Sequence, residues 1–347
     1  MYMASNGKAK AGCVTAIMLL FLLVSFASPA QQALAQTATK VIEWNMQHER
    51  GPATYNSKAL KDFAAKVSER SGGGFKINIY DAGGLNIPWS EMLSSITSGG
   101  IPIIGGPTSY MAGTDRFFMA ENLAGLIKSV ERHALYTSSL YDLRAKVLAK
   151  HKAIELAHWP HDKQIWASQK PLVKPADFKR IRLRVASPDL ASLVTGLGAS
   201  PVTMPITEVY VAMQRGAMEG LCTGVGAMRG ISVWEVTKHL TDLVMSHAGF
   251  IVIANKNAYD GLPENYKIIL REELYALQMR MYYLTKLNEN DEVQFLVSKG
   301  MTLHKPSLEL QEAVDKLVVP YWEKWAKESG PDAQEALKIA RELGYSR

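Results

Sequence analysis

Three arginines alternate through Lys179-Arg180-Ile181-Arg182-Leu183-Arg184-Val185. On a strand, Arg180, Arg182 and Arg184 share one face, and Ile181, Leu183 and Val185 take the other. Such a row reads first as a solvated face. Its second reading places one guanidinium in a cleft, where the planar fork clamps a carboxylate through two N–H groups. Other reactive residues are less organised. His158 and His161 stand three apart, the spacing of two ligands on a helical face, but Pro160 interrupts any helix there, so no metal site is expected. His133, Ser138 and Ser139 fall on an expected helix and read as surface rather than as a triad. The chain has no GxSxG, HExxH, P-loop or CxxC pattern. Gly105-Gly106 lacks the lysine and helix context of a phosphate loop. These residues point to binding, with no catalytic group and no cofactor.

The elements around the arginines follow from periodicity. Residues 41–46 read as a strand, and Leu60, Phe63, Ala64 and Val67 place a helix over 55–69, stopped at Ser71-Gly72-Gly73-Gly74. Residues 75–80 alternate as a second strand, 89–98 form a short helix, and 101–104 form a buried strand. Strand, helix, strand, helix, strand is the pattern of a parallel sheet with covering helices. The middle of the chain repeats it. A long helix is expected over 129–150, with strands at 153–159 and 181–185. Ser187-Pro188-Asp189 then opens a helix: Ser187 can cap it, Pro188 suits its first turn, and Asp189 suits its positive end. From Pro263 to about Val297 the apolar pattern runs almost unbroken. A helix of that length reaches roughly 50 Å, more than one small domain, so it bends or bridges two lobes. Two α/β lobes joined by such a helix leave a cleft, where small ligands bind.

Composition fits this. The chain has 347 residues, 47% hydrophobic and 21% charged, which excludes a disordered chain or a fibre. A net charge of +6, spread along the chain, is no argument for nucleic acid. Lys8 and Lys10 precede an apolar run over 14–26, and Ala33-Leu34-Ala35 has the form of a cleavage site. The run is about 13 residues, short of the roughly 20 that span a bilayer, so residues 1–35 are expected to be a secretory leader cut after Ala35. Of Cys13 and Cys222, only Cys222 then remains, and it has no partner for an internal disulfide.

Three segments carry a resemblance. These are Val173-Lys174-Pro175-Ala176-Asp177-Phe178 leading into Arg184-Val185, Leu197-Gly198-Ala199-Ser200-Pro201-Val202-Thr203-Met204, and Glu208 to Gly220 through Met213-Gln214-Arg215-Gly216-Ala217-Met218-Glu219. In order and wording the series resembles the substrate-binding proteins of TRAP transporters. Weaker similarity extends to Glu43-Trp44-Asn45-Met46 and to Phe250-Ile251-Val252-Ile253-Ala254-Asn255 with Leu262-Pro263-Glu264.

The resemblance implies a periplasmic-binding-protein-like α/β fold with an interlobe cleft and a long helix spanning both lobes. It divides the chain into a leader (1–35), a first lobe (36–158), a second lobe (159–246), a return to the first lobe with the start of the spanning helix (247–285), and C-terminal helices on the second lobe (286–347). Arg184 matches the arginine that salt-bridges a ligand carboxylate in that family. Lys163 falls at the place of a second cation, and Thr223 at a ligand-bonding asparagine. Thr108 lies near a ligand-contacting loop. The opening strand adds Trp44 and Asn45, and the late strand adds Phe250. Leu221, Cys222, Thr223 and Gly224 form a weakly polar wall, which favours a monocarboxylate with an apolar or aromatic body. The implied protein is a periplasmic monomer that hands a small organic acid to a TRAP-type membrane permease. A ligand-sensing module for a receptor, or a secreted enzyme acting on a carboxylate, are the other readings.

Overall fold

The computed structural model describes residues 41–204 and 206–345. The leader expected over residues 1–35 lies outside them.

Alternation builds the first strand, β1 (Ile42–Gln47), which buries Trp44 and Met46 and exposes Glu43 and Asn45. The helix α1 (Tyr55–Arg70) packs Leu60, Phe63 and Val67 into the same core, and its N-cap Thr54 accepts from the Ser57 N–H. Then come β2 (Phe75–Tyr80), α2 (Met92–Thr97), β3 (Ile103–Pro107), α3 (Val130–Ser139), α4 (Tyr141–Lys150) and β4 (Ala153–Pro160). The single helix expected over 129–150 is thus two. The chain bends at Leu140, and Arg144 Nη1 donates to the Thr137 carbonyl, one of the acceptors left at the break.

The chain next builds β5 (Gln164–Ser168), β6 (Arg182–Val185), α5 (Pro188–Gly196), β7 (Ser200–Thr203), α6 (Ile206–Gln214), β8 (Gly220–Gly224), α7 (Val225–Gly230) and β9 (His239–Ser246). It closes with β10 (Gly249–Asn255), α8 (Lys256–Asp260), α9 (Glu264–Ser298), β11 (Thr302–His304), α10 (Leu308–Ser329) and α11 (Pro331–Glu342).

Two sheets result, in the orders β2-β1-β3-β10-β4 and β11-β9-β5-β8-β6-β7. Neither is purely parallel, as the repeating pattern suggested. In the first sheet β10 runs against β3 and β4, and in the second β5 runs against β8 and β9. The reason lies in the crossings. Only His161, Asp162 and Lys163 separate β4 from β5, and only His247 and Ala248 separate β9 from β10. A strand entered through so short a connection must start at the edge where the previous strand ended. It therefore runs opposite to the strands around it. The two crossings lie side by side, with the His161 N–H bonded to the Ala248 carbonyl at 2.7 Å. The same constraint turns the carboxyl ends of both sheets towards one another, the position where α/β sheets present ligand sites.

The long helix α9 supplies a third connection. It has 35 residues, about 52 Å at 1.5 Å each. Its residues Tyr266 to Met281 pack with Trp44, Phe75 and Phe250 in the core of the first lobe. Val293 and Leu296 pack with Ile165, Leu221 and Met228 in that of the second. The last two helices divide. α10 lies on α5, while α11 lies on α3 and α4. Trp322 and Trp325 of α10 donate to the carbonyls of Ala124 and Arg116.

Candidate functional site

β6 ends at the facing edge, and it carries two of the three arginines. They do not form a uniform row. Arg180 lies before the strand at φ +61° and is exposed. Arg182 is exposed and paired with Glu219, at 2.5 Å from Nη2 to Oε1. Arg184 alone is buried, 6% exposed. Its Nε and Nη2 both donate to the Met204 carbonyl, at 3.1 and 3.0 Å. Among the described residues it makes no ion pair, and burial depresses its pKa. A buried guanidinium without a counter-charge is expensive. Each other buried cation among the described residues has an acid: Arg144 has Glu121 and Glu155, and Lys163 has Asp242.

The next helix begins as its sequence suggests, with a different partner. Ser187 is extended at the N-cap but makes no capping bond with its side chain. Asp189 turns inward instead, and its Oδ2 accepts from the Ala124 N–H at 2.6 Å, tying α5 to the loop before α3.

The edge of the first lobe faces Arg184 with a denser array. After β1, Arg50 Nη2 lies 2.8 Å from Asp162 Oδ1 and 2.7 Å from His161 Nδ1, and its Nε lies 3.1 Å from Glu49 Oε1. Asp162 also accepts the Gly226 N–H at the start of α7. It thereby links Arg50 of the first lobe to the second. A Cβ at Gly224 would stand 2.7 Å from Asp162 Oδ2, so this approach requires glycine there. Arg50 holds the Asp162 carboxyl below its ordinary range against the burial that would raise it. Tyr110, after β3, lies between the two arrays. Burial and then Glu49 push its phenol up to about 12, while Arg50 and Arg184 both oppose the rise. The ring leans on Trp89 at 5.4 Å.

The expected site residues are distributed as follows. Thr223 is near the end of β8, and Cys222 beside it is buried close enough to Arg184 to feel its charge. Thr108 follows β3 at the same edge and accepts from Asn122 Nδ2 at 2.6 Å. Phe250, at the start of β10, stacks on Trp159 at 4.5 Å and meets the His161 ring edge-on at 5.4 Å. Lys163 lies in the crossing, but its Nζ is engaged by Asp242 Oδ1 at 2.9 Å. Trp44 and Asn45 lie back from the edge. Trp44 packs against Phe75 in the core, and Asn45 bonds Asn78 on the exposed face of the sheet. Alternation along β1 keeps these two on opposite faces.

The chain matches DctP, bacterial extracellular solute-binding protein family 7, over residues 46–328. It belongs to that family. A solute-binding protein of Albidiferax ferrireducens is 27% identical over 220 residues, 62% of this chain and 65% of the relative. The C4-dicarboxylate-binding periplasmic protein of Rhodobacter capsulatus is 28% identical over 187 residues, 53% of this chain and 56% of the relative. The chain thus spans less than two thirds of either relative. The crystal structure of a Bordetella pertussis extracytoplasmic solute receptor binding pyroglutamic acid superposes with a TM-score of 0.82 at 22% identity, covering 87% of this chain and all of that one. The two-lobed α/β architecture is common to both.

In this family 7 protein, Arg50, Asp162 and Tyr110 stand at the same edge as Arg184, and only Arg184 was singled out by the sequence. Arg50 had one visible signal. His48-Glu49-Arg50 is a charged run directly after a strand, where the chain emerges at the sheet edge. Tyr110 carried none.

Proposed function

We propose that the protein is an extracytoplasmic solute-binding protein that captures a small organic acid between its lobes and delivers it to a TRAP-type membrane permease. The observation that carries this reading is Arg184, buried at the facing edge with no acidic partner among the described residues. A ligand carboxylate supplies the missing counter-charge and accepts from the guanidinium. The Tyr110 hydroxyl and Thr223 offer neutral polar contacts beside it, and Phe250 with Trp159 offers an apolar wall. Lys163, already paired, sets charge rather than clamping directly. Trp44 and Asn45 are given no ligand contact. Relatives named for C4-dicarboxylate and pyroglutamic acid agree with an acidic ligand. The single unpaired buried arginine or lysine among the described residues favours a monocarboxylate with an apolar or aromatic body.

Closure follows from the same arrangement. Arg50 and Tyr110 come from the first lobe and Arg184 and Thr223 from the second, so only the closed form engages all four, and ligand shifts the population towards it. The lobes proposed are 36–158 with 247–285, and 159–246, with 286–347 as the C-terminal helices. Cleavage after Ala35 and release into the periplasm complete the reading. No covalent step is required of the site.

The test is a thermal-shift screen of organic acids and their neutral amides. A ligand at 100 times its Kd adds about 2.7 kcal/mol of stability. One or more monocarboxylic acids should raise the melting temperature while their amides do not. Stabilisation by the amides alone, or by neutral sugars and no acid, overturns the proposal.

A further inference from the structure

Outside the cleft, the first lobe buries a second cluster of chemically capable groups. Glu121 lies before α3, His133 on α3 and His158 on β4, and all three are buried. The imidazoles of His133 and His158 stack nearly parallel, 5.3 Å apart at 20°. Both present Nε2 to one oxygen: Glu121 Oε2 lies 2.6 Å from His158 Nε2 and 4.0 Å from His133 Nε2. Yet, the close 2.6 Å approach apart, Glu121 Oε2 and both ring nitrogens of His158 have no hydrogen-bond partner among the described residues. Three unsatisfied acceptor or donor positions in one buried spot are far from the usual outcome.

We propose that Glu121, His133 and His158 bind one divalent transition-metal ion of the zinc class. The three ligand atoms lie within 4.8 Å of one another. Ligand atoms of a tetrahedral zinc shell stand about 3.3 Å apart, between the two separations from Glu121 Oε2. Two imidazoles and one carboxylate suit zinc, whereas calcium and magnesium prefer all-oxygen shells.

The surroundings orient these ligands. Arg144 Nη1 holds the other Glu121 oxygen at 2.7 Å, and Glu155 holds Arg144 through both oxygens at 2.5 and 2.9 Å. Such outer partners fix a ligand's direction. One arginine against two carboxylates leaves the cluster one negative charge to offset. Space is preserved by Gly249 of β10: a Cβ there would collide with Glu121 Oε2 and stand 2.8 Å from His158 Nε2. A cavity of about 840 Å³ lined by Tyr141, Arg144, Tyr275 and Tyr282 reaches one of the three ligands, His158.

The experiment titrates the chelator-treated, exported protein with Zn2+ against a chromophoric competitor. Wild type should take up one equivalent. His133→Gln and His158→Gln should weaken it by more than roughly 100-fold, beyond what loss of a supporting group costs. The half-buried pair His239 and His304 of the second sheet, 3.0 Å apart, serves as control: His239→Gln should bind as wild type. Should the buried variants fail to fold, Co2+ on wild type decides. Intense visible bands of a four-coordinate ion support the site, and the weak spectrum of a six-coordinate ion overturns it. No uptake by wild type, unchanged uptake in both buried-histidine variants, or loss in His239→Gln also overturns it.

Discussion

Arg144 and Arg184 are both buried arginines in one chain, and they differ in company. Arg144 is 2% exposed and meets Glu121, Glu155 and the Thr137 carbonyl. Its two carboxylates come from different elements and close a network at the break between α3 and α4. Arg184 is 6% exposed and, among the described residues, its guanidinium donates only to the Met204 carbonyl. Burial alone therefore does not separate the structural arginine from the one proposed to bind ligand. The charge left uncompensated does. Removing a partner from a closed network strands the other charges, whereas an unpartnered cation has no charge within the network to strand.

That contrast can be broken at several points. The largest expected effect is at Arg144. Arg144→Met strands Glu121 and Glu155 and should cost about 3–5 kcal/mol of unfolding free energy in denaturant titration. A loss below 1 kcal/mol would remove the distinction between the two arginines. A smaller effect is expected at Asp162, whose carboxyl is held below its ordinary value of 3.8. Its folded form is depressed, so its contribution is present above that value and lost as pH falls below it. The melting temperature should fall on that acidic side, and Asp162→Asn should flatten the fall, costing about 1.5–3 kcal/mol at neutral pH. Equal acid sensitivity in both proteins would place the effect elsewhere. The smallest effect belongs to Arg182, on the same strand as Arg184 but exposed and paired with Glu219. Arg182→Ala should change stability by less than about 1 kcal/mol and leave ligand affinity untouched. Calorimetry showing weakened binding would mean that position on the strand, not the unpaired charge, determines function.

Much of the fold was legible because local periodicity is strong. The strand at 41–46, the helix at 55–69 and the unbroken helix after Pro263 all appear within a residue or two of their expected ends. The reversed strands β5 and β10 were not legible, since their direction comes from how the lobes join and not from their own residues. The bend at Leu140 was hidden for a similar reason: Arg144 and its acids stabilise it from elsewhere in the chain. At the site, Arg184 stood out within a long family-like series. Arg50 and Asp162 meet across 112 positions, and no local pattern announces such a pair. Trp44 looked available as an aromatic, but the β1 alternation commits it to the core. Lys163 kept its charge in sequence and lost its freedom to Asp242 in space.

Arg184 carries a buried charge with no acidic partner among the described residues. Isothermal titration calorimetry of wild type and Arg184→Met, with the best acid from the thermal-shift screen, tests its proposed role in binding most directly. The variant, as stable as wild type without ligand, should bind about 2–5 kcal/mol more weakly. Equal affinity for the acid in a folded Arg184→Met protein would contradict it.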